Sequence, residues 1–267
     1  MSQDEPAGAR PEPVQRLAGG AVSASEEWVV VERPLRIVVQ WMPLLTTMRT
    51  PGDERELVVG YLVNEGVIRE AAQVASFALV PGARVDTARV ELARFEERAL
   101  AGLRRAGVSV SSCGVCGRDE EQVFEPRAGW PAQGLAVPLD ALEGMLDAVR
   151  GRQRLFGLTG GLHAAGVFAR TSEPLCVYED LGRHNAIDKA VGWLLREGWL
   201  GRAPLALVSS GRASFEVVQK AAMAGIGTVI SVSAASSMAI EVARTAGITL
   251  VGFVRPGRAV IYTPAGG

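Results

Sequence analysis

The strongest constraint on this chain lies in its last third, where short β-branched runs alternate with helical ones. Residues 204–209 read as a strand, which runs through Ser210-Gly211-Arg212 into a helix that Ser214 can cap. Residues 228–232 read as a second strand, followed by Ser233 to Ser237 and a helix with Ala239, Val242, Ala243 and Ala246 on one face. A third strand over 249–254 ends at Arg255-Pro256-Gly257-Arg258, and a last strand follows. Such alternation predicts a parallel sheet with helices packed on its faces. Ligands of such sheets collect outside the carboxyl ends of the strands. The loops at those ends carry Ser209, Ser210 and Arg212, then Ser233, Ser236 and Ser237, then Arg255 and Arg258. Hydroxyls, cations and helix N-termini on one edge suit phosphate. Serine and glycine are ordinary in such loops, but that does not explain an arginine in two of the three.

Upstream, β-branched residues from Trp28 to Met42 read as two strands broken at Pro34. A helix over about 53–64 carries Leu57, Tyr61 and Leu62 as an apolar stripe, and strands follow at about 74–80 and 84–92. Leu139, Leu142, Leu146 and Val149 mark another helix, and strands are expected at 166–169 and 175–178. A helix over 185–196 buries Ile187, Ala190, Val191, Leu194 and Leu195, with Asn185 as its N-cap and Asp188 as the acidic N3 partner. The 267 residues thus divide into a disordered lead-in (1–25), a small N-terminal β-rich α+β module (26–106), a cysteine-bearing loop (107–127) and an α/β domain (128–267).

The balance of residue types narrows the function. A formal net charge of -1 gives no reason to expect nucleic acid or an acidic membrane surface as partner. No apolar run approaches the roughly 18–20 residues that span a bilayer, and the polar N-terminus lacks the apolar core of a secretory signal. Three cysteines, two of them three apart, do not resemble a secreted disulfide framework, so the cytoplasm is expected.

Cys113-Gly114-Val115-Cys116 is compatible with three chemistries. A structural zinc site needs four ligands; there is no second CxxC, though His163 and His184 complete the count. A redox couple needs the motif at a strand-to-helix turn, which Gly114 and Gly117 make awkward. A nucleophilic thiolate on a swinging loop would use those glycines, with Arg118 lowering the thiol pKa. Cys176, inside an apolar strand, reads as a core residue. The zinc-deaminase signature places H-x-E before its CxxC; here the order is reversed and no glutamate follows His163, so deamination is excluded. Histidine occurs only at His163 and His184, and lysine only at Lys189 and Lys220, all in or just after Gly- and Ser-punctuated segments. That grouping favours function, against the plainer reading of His163 as a satisfied, partly buried side chain.

Several long motifs carry a resemblance. Ser112-Cys113-Gly114-Val115-Cys116-Gly117, Thr159-Gly160-Gly161-Leu162-His163-Ala164-Ala165 and Glu179-Asp180-Leu181-Gly182-Arg183-His184-Asn185-Ala186-Ile187-Asp188-Lys189 resemble the formate dehydrogenase accessory sulfurtransferases, the FdhD family. So do Ser210-Gly211-Arg212-Ala213-Ser214 and Phe253-Val254-Arg255-Pro256-Gly257-Arg258. The family usually reads Ser-Ala-Pro-Thr where this chain has Ser233-Ala234-Ala235-Ser236, which keeps the hydroxyl and loses the proline.

The resemblance implies a cytidine-deaminase-like three-layer α/β/α domain without the deaminase site, working as a homodimer. It implies a sulfurtransferase that accepts sulfur from a cysteine desulfurase as a cysteine persulfide. The acceptor would be the molybdenum bis(molybdopterin guanine dinucleotide) cofactor needed by formate dehydrogenase, with no permanently bound metal on the protein. By motif position, Cys113 would bear the persulfide with Cys116 beside it, and Phe253, Val254, Arg255, Pro256, Gly257 and Arg258 would contact the cofactor. Ser210, Arg212, Ser233, Arg183, His184 and Lys189 are the further candidates for holding its phosphates or moving a proton. The rival readings are a non-catalytic cofactor-binding chaperone and a CxxC zinc or redox module.

Overall fold

The computed structural model describes residues 6–95, 108–109 and 129–264. The chain opens with a hairpin, β1 (Ala9–Ala18) against β2 (Ala21–Val30), paired antiparallel from Ala9↔Val30 to Ala18↔Ala21. Gly19 and Gly20 close it with φ of 56° and 82°, the left-handed pair that a two-residue hairpin turn requires. The expectation of a disordered lead-in is therefore corrected from Ala9 onward. Much of this ladder is exposed, Leu17 and Val22 included, and it lies in a Pro-, Gly- and Ala-rich stretch that reads as a lead-in rather than as strands.

A five-stranded sheet follows: β3 (Arg33–Val39), β4 (Met42–Arg49), β5 (Val74–Val80), β6 (Asp86–Leu92) and β7 (Val108–Ser109), in the order β5-β6-β3-β4-β7. Leu35, Ile37 and Val39 of β3 and Ala88 and Val90 of β6 point to one buried face, the period-2 pattern of a half-covered sheet. Helix α1 (Glu54–Asn64) covers that face, but every residue from Glu56 to Asn64 is buried. The expected single stripe of Leu57, Tyr61 and Leu62 was too narrow, because a second layer sits on the helix's other side.

That layer belongs to the C-terminal half, which is built from α2 (Leu139–Arg150), α3 (Arg154–Thr159), β8 (His163–Phe168), β9 (Cys176–Asp180) and α4 (Arg183–Arg196). It continues with β10 (Ala206–Ser209), α5 (Phe215–Met223), β11 (Thr228–Ser231), α6 (Ser237–Thr245), β12 (Thr249–Arg255) and β13 (Arg258–Thr263). The six strands run in the order β13-β12-β11-β10-β8-β9. Only β10, β11 and β12 are mutually parallel; β8, β9 and β13 join antiparallel, so the predicted parallel sheet is a mixed one. One face packs on α2 through Ala164, Phe168, Val208 and Ile230. The other packs on α4, α5 and α6 through Ala165, Val167, Leu207 and Val229. The result is three layers, helix on sheet on helix.

The two sheets share one hydrophobic core because α1 lies against α4. A Cβ on Gly60 would stand 1.7 Å from the Asp188 carbonyl oxygen, and one on Gly192 would stand 2.0 Å from that of Glu56. The helices thus meet backbone to backbone, a separation that only glycine at the crossing permits. Gly60→Ala should accordingly cost about 3 kcal/mol or more of unfolding free energy, measured by urea denaturation. A change below about 0.5 kcal/mol, the range of ordinary surface substitutions, would show that the helices do not cross so closely.

Candidate functional site

The loops after β10, β11 and β12 leave the same edge of the sheet, and the antiparallel β8 brings His163 to that edge beside them. Ser210 sits at the join. Its Oγ accepts the Ala164 amide at 2.9 Å and lies 3.2 Å from Nδ1 of His163. With the backbone proton already on its oxygen, the hydroxyl's own hydrogen is placed to go to Nδ1, which leaves the ring proton on Nε2. Arg183 closes the group from the start of α4: a Cβ on Gly211 would meet Arg183 Cδ at 3.1 Å and the His163 ring at 3.6 Å. Burial, and then the Arg183 charge, pull the His163 pKa below its ordinary value. The ring therefore stands neutral near pH 7 beside a fixed cation.

His184 is buried one residue further on. Its Nε2 accepts from Arg183 Nε at 3.2 Å and lies 3.4 Å from Ser214 Oγ, while Nδ1 stands 3.0 Å from Glu216 Oε2. Ser214 does hold the N-cap position of α5, but its hydroxyl turns to His184 rather than to a helix amide. Glu216 went unremarked in the sequence because an acidic residue in a helix's first turn is commonplace; only the fold shows it facing an imidazole.

Two sequence-based assignments are corrected here. Lys189 does not reach the edge: its ammonium is 1% exposed, 2.9 Å from Asp180 Oδ2, and donates to the carbonyls of Glu179 and Thr50. The cation neutralises a fully buried carboxylate and has no donor left for a phosphate. Asn185 does not cap its helix, since Gly182 holds that place. Its amide instead donates to Met48 O at 2.8 Å and Asp180 Oδ1 at 2.9 Å. Asp188, the supposed partner of that cap, is buried against Asn64 and Lys220. Asp180 is the hub that sequence reading missed. It accepts from Gly182 N, Asn185, Lys189 and Thr50 N, and so ties the α4 start that carries Arg183 and His184 to the end of β4.

Backbone contacts knit the other loops together. Ser231 Oγ donates to Gly211 O at 2.5 Å and accepts Ser233 N at 3.3 Å. Ala213 pairs with Ala235, and Ser236 N donates to Ala213 O. Ser236 also caps α6, its Oγ accepting from Ala239 N at 3.3 Å. Phe253 N donates to Ser233 O at 3.2 Å, and Phe253 itself is left-handed with φ 49°, a conformation strained for a bulky residue. The turn that follows lies wholly at the surface apart from buried Val254. Arg255, Pro256, Gly257 and Arg258 are exposed, with Arg255 Nη1 donating to the carbonyls of Val232 and Val254. Arg212 is exposed and Ser233 half-buried. One edge thus combines a neutral histidine, serine hydroxyls, two helix starts and several arginines, which together can hold an extended anion.

Cys113 and Cys116 lie outside the described residues. Cys176 is free and buried, and burial pushes its thiol up to about 12, so at neutral pH it is not a nucleophile. Among the described residues no cluster of three or more His, Cys, Asp or Glu side chains could hold a metal ion. No helix among them is long and apolar enough to cross a membrane.

Fold and edge together define a mixed α/β protein whose anion-suited rim is built where two modules meet. A family model described as FdhD/NarQ matches residues 30–266, and the chain belongs to that family. The Sulfur carrier protein FdhD of Streptomyces avermitilis is 40% identical over 259 residues, covering 93% of this chain and 92% of its own. That of Mycobacterium tuberculosis is 40% identical over 264 residues, covering 94% and 95%. A crystal structure described as a formate dehydrogenase accessory protein from Desulfotalea psychrophila superposes with a TM-score of 0.74. It covers 96% of this chain and 97% of that one at 23% identity, and so shows the shared fold.

The site makes a direct pH prediction. Because this chain has only two histidines, NMR titration can follow each ring. His163 should titrate below 6.5, and Arg183→Gln should move its midpoint up by removing the adjacent charge. A midpoint at or above 6.5, or one unmoved by that substitution, would contradict the geometry.

Proposed function

We propose that the chain is a sulfur carrier that takes a persulfide sulfur onto Cys113 and delivers it to a large phosphorylated cofactor. The observation that carries this reading is family membership over residues 30–266, with relatives named for sulfur carriage across nearly their whole length. Two features support it. Cys176 is buried with a raised pKa, so sulfur carriage falls to the Cys113-Gly114-Val115-Cys116 pair. The sheet edge offers what a polyanion needs, through Ser210, Arg183, Arg212 and the arginines of the Phe253 to Arg258 turn.

In the loading step the Cys113 thiolate attacks the outer sulfur of the donor's persulfide, whose S–S bond breaks as the donor cysteine leaves as a thiolate. The donor is a cysteine desulfurase, and the acceptor substrate is the molybdenum bis(molybdopterin guanine dinucleotide) cofactor destined for formate dehydrogenase. The protein acts in the cytoplasm as a homodimeric sulfurtransferase, and its three-layer domain is of the cytidine-deaminase type. Cys116 stands as second carrier or exchange partner. Ser233 and His184 sit where they can steady the phosphates and the proton balance of the edge, Ser233 through its place beside the Phe253 amide and His184 through Ser214 and Glu216.

Intact-mass spectrometry after incubation with a cysteine desulfurase and cysteine should show the gain of one sulfur on a peptide containing Cys113. Cys113→Ser should abolish both that gain and formate dehydrogenase activity in cells, whereas Cys176→Ala should leave both unchanged. Full activity with Cys113→Ser would mean a cofactor-shielding chaperone instead.

A further inference from the structure

Glu216 is buried in the first turn of α5, where an acidic side chain ordinarily serves the helix dipole. Its burial asks for more than that, since a carboxylate withdrawn from water is costly unless a donor or a cation meets it. Oε2 stands 3.0 Å from His184 Nδ1. The other ring nitrogen, Nε2, accepts from Arg183 Nε at 3.2 Å. A nitrogen that accepts carries no proton, so the ring's proton lies on Nδ1 and faces the carboxylate. Glu216, His184 and Ser214 form a line like that of a nucleophile and its base. Arg183 already occupies the Nε2 lone pair, however, and the Ser214 hydroxyl stands farther off at 3.4 Å. What the line fixes is Arg183.

We propose that Glu216 is the positioning residue of the rim: by keeping the His184 proton on Nδ1, it leaves Nε2 open to Arg183 Nε and so aims the guanidinium at the anion. Arg183 has five N–H donors. With Nε tied back to the imidazole, the other four lie on the two Nη nitrogens, for which the described residues supply no partner. A planar fork held at one end is suited to meet a phosphate in bidentate fashion. The same side chain lies over Gly211 beside His163. Without an acceptor at Nδ1, the His184 ring takes the Nε2–H form that free histidine favours in water. Two N–H groups then face one another, and Arg183 is released. This role rests on the reading of the rim as an anion site.

Nitrogen-15 NMR of the full chain reads the tautomer directly, with only two histidines to assign. At neutral pH the wild-type His184 should carry its proton on Nδ1; a proton on Nε2 would overturn the proposal without any variant. Glu216→Met, near in size, should move that proton to Nε2 and weaken inorganic pyrophosphate about tenfold in calorimetry. It should also raise the His163 midpoint, because displacing the Arg183 charge leaves burial as the one cause that lowers it. Glu216→Gln removes the charge but can turn its carbonyl oxygen to Nδ1, so it should restore all three readings. A carboxylate that served only the helix dipole would leave the tautomer and the His163 midpoint unmoved in both variants, which would overturn the proposal. Pyrophosphate bound equally well by wild type and Glu216→Met would sink the positioning role alone. Pyrophosphate not bound by the wild-type chain at all would sink the anion reading of the rim, and this role with it.

Discussion

The whole arrangement depends on the seam between α1 and α4. Two helices from different halves of the chain touch at Gly60 and Gly192 with no side chain between them. At that distance the chain brings charged groups together inside the core as well: Asn64 and Lys220 on Asp188, and Thr50 and Lys189 on Asp180. A buried carboxylate is costly unless its charge and lone pairs are met. Asp180 is met on four sides, by groups from the end of β4, its own loop and α4. The price of burial is thereby turned into specificity of position: the N-terminal module cannot shift without uncovering a charge.

That rigidity has a direction. Asp180 also receives the Gly182 amide, which fixes the turn from which Arg183 and His184 emerge. Arg183 then stands over Gly211 beside His163, and His184 reaches Ser214 and Glu216 on the next helix. Three stretches distant in sequence, around residues 163, 183 and 210, become one rim because β8 returns antiparallel beside β10. The charge of Arg183 and the partial burial of His163 then act on one another, and the ring is held in its neutral form.

Much of the α/β half was legible from periodicity alone. The strands at 206–209, 228–231 and 249–255 and the helices between them follow from alternating β-branched and amphipathic runs, and those runs placed Ser210 and the Phe253 to Arg258 turn at one edge. What was not legible is what depends on partners far along the chain. The β1–β2 hairpin lies in a Pro- and Gly-rich stretch, so it read as a lead-in rather than as strands. Lys189 looked like a phosphate ligand because lysine is so rare here, but rarity does not say which way a side chain points; its helical position put it against Asp180 in the core. Asn185 carried a capping signature, and tertiary contacts with Met48 and Asp180 outweighed it.

The central claim is that sulfur leaves this protein for an acceptor held at the rim by its phosphates. Loading the protein with radiolabelled sulfur, adding the isolated molybdenum cofactor and separating the two would follow that transfer directly. The account predicts that label passes to the cofactor and that inorganic pyrophosphate in excess slows the passage. Label retained on the protein while the cofactor is bound, or transfer indifferent to pyrophosphate, would contradict it.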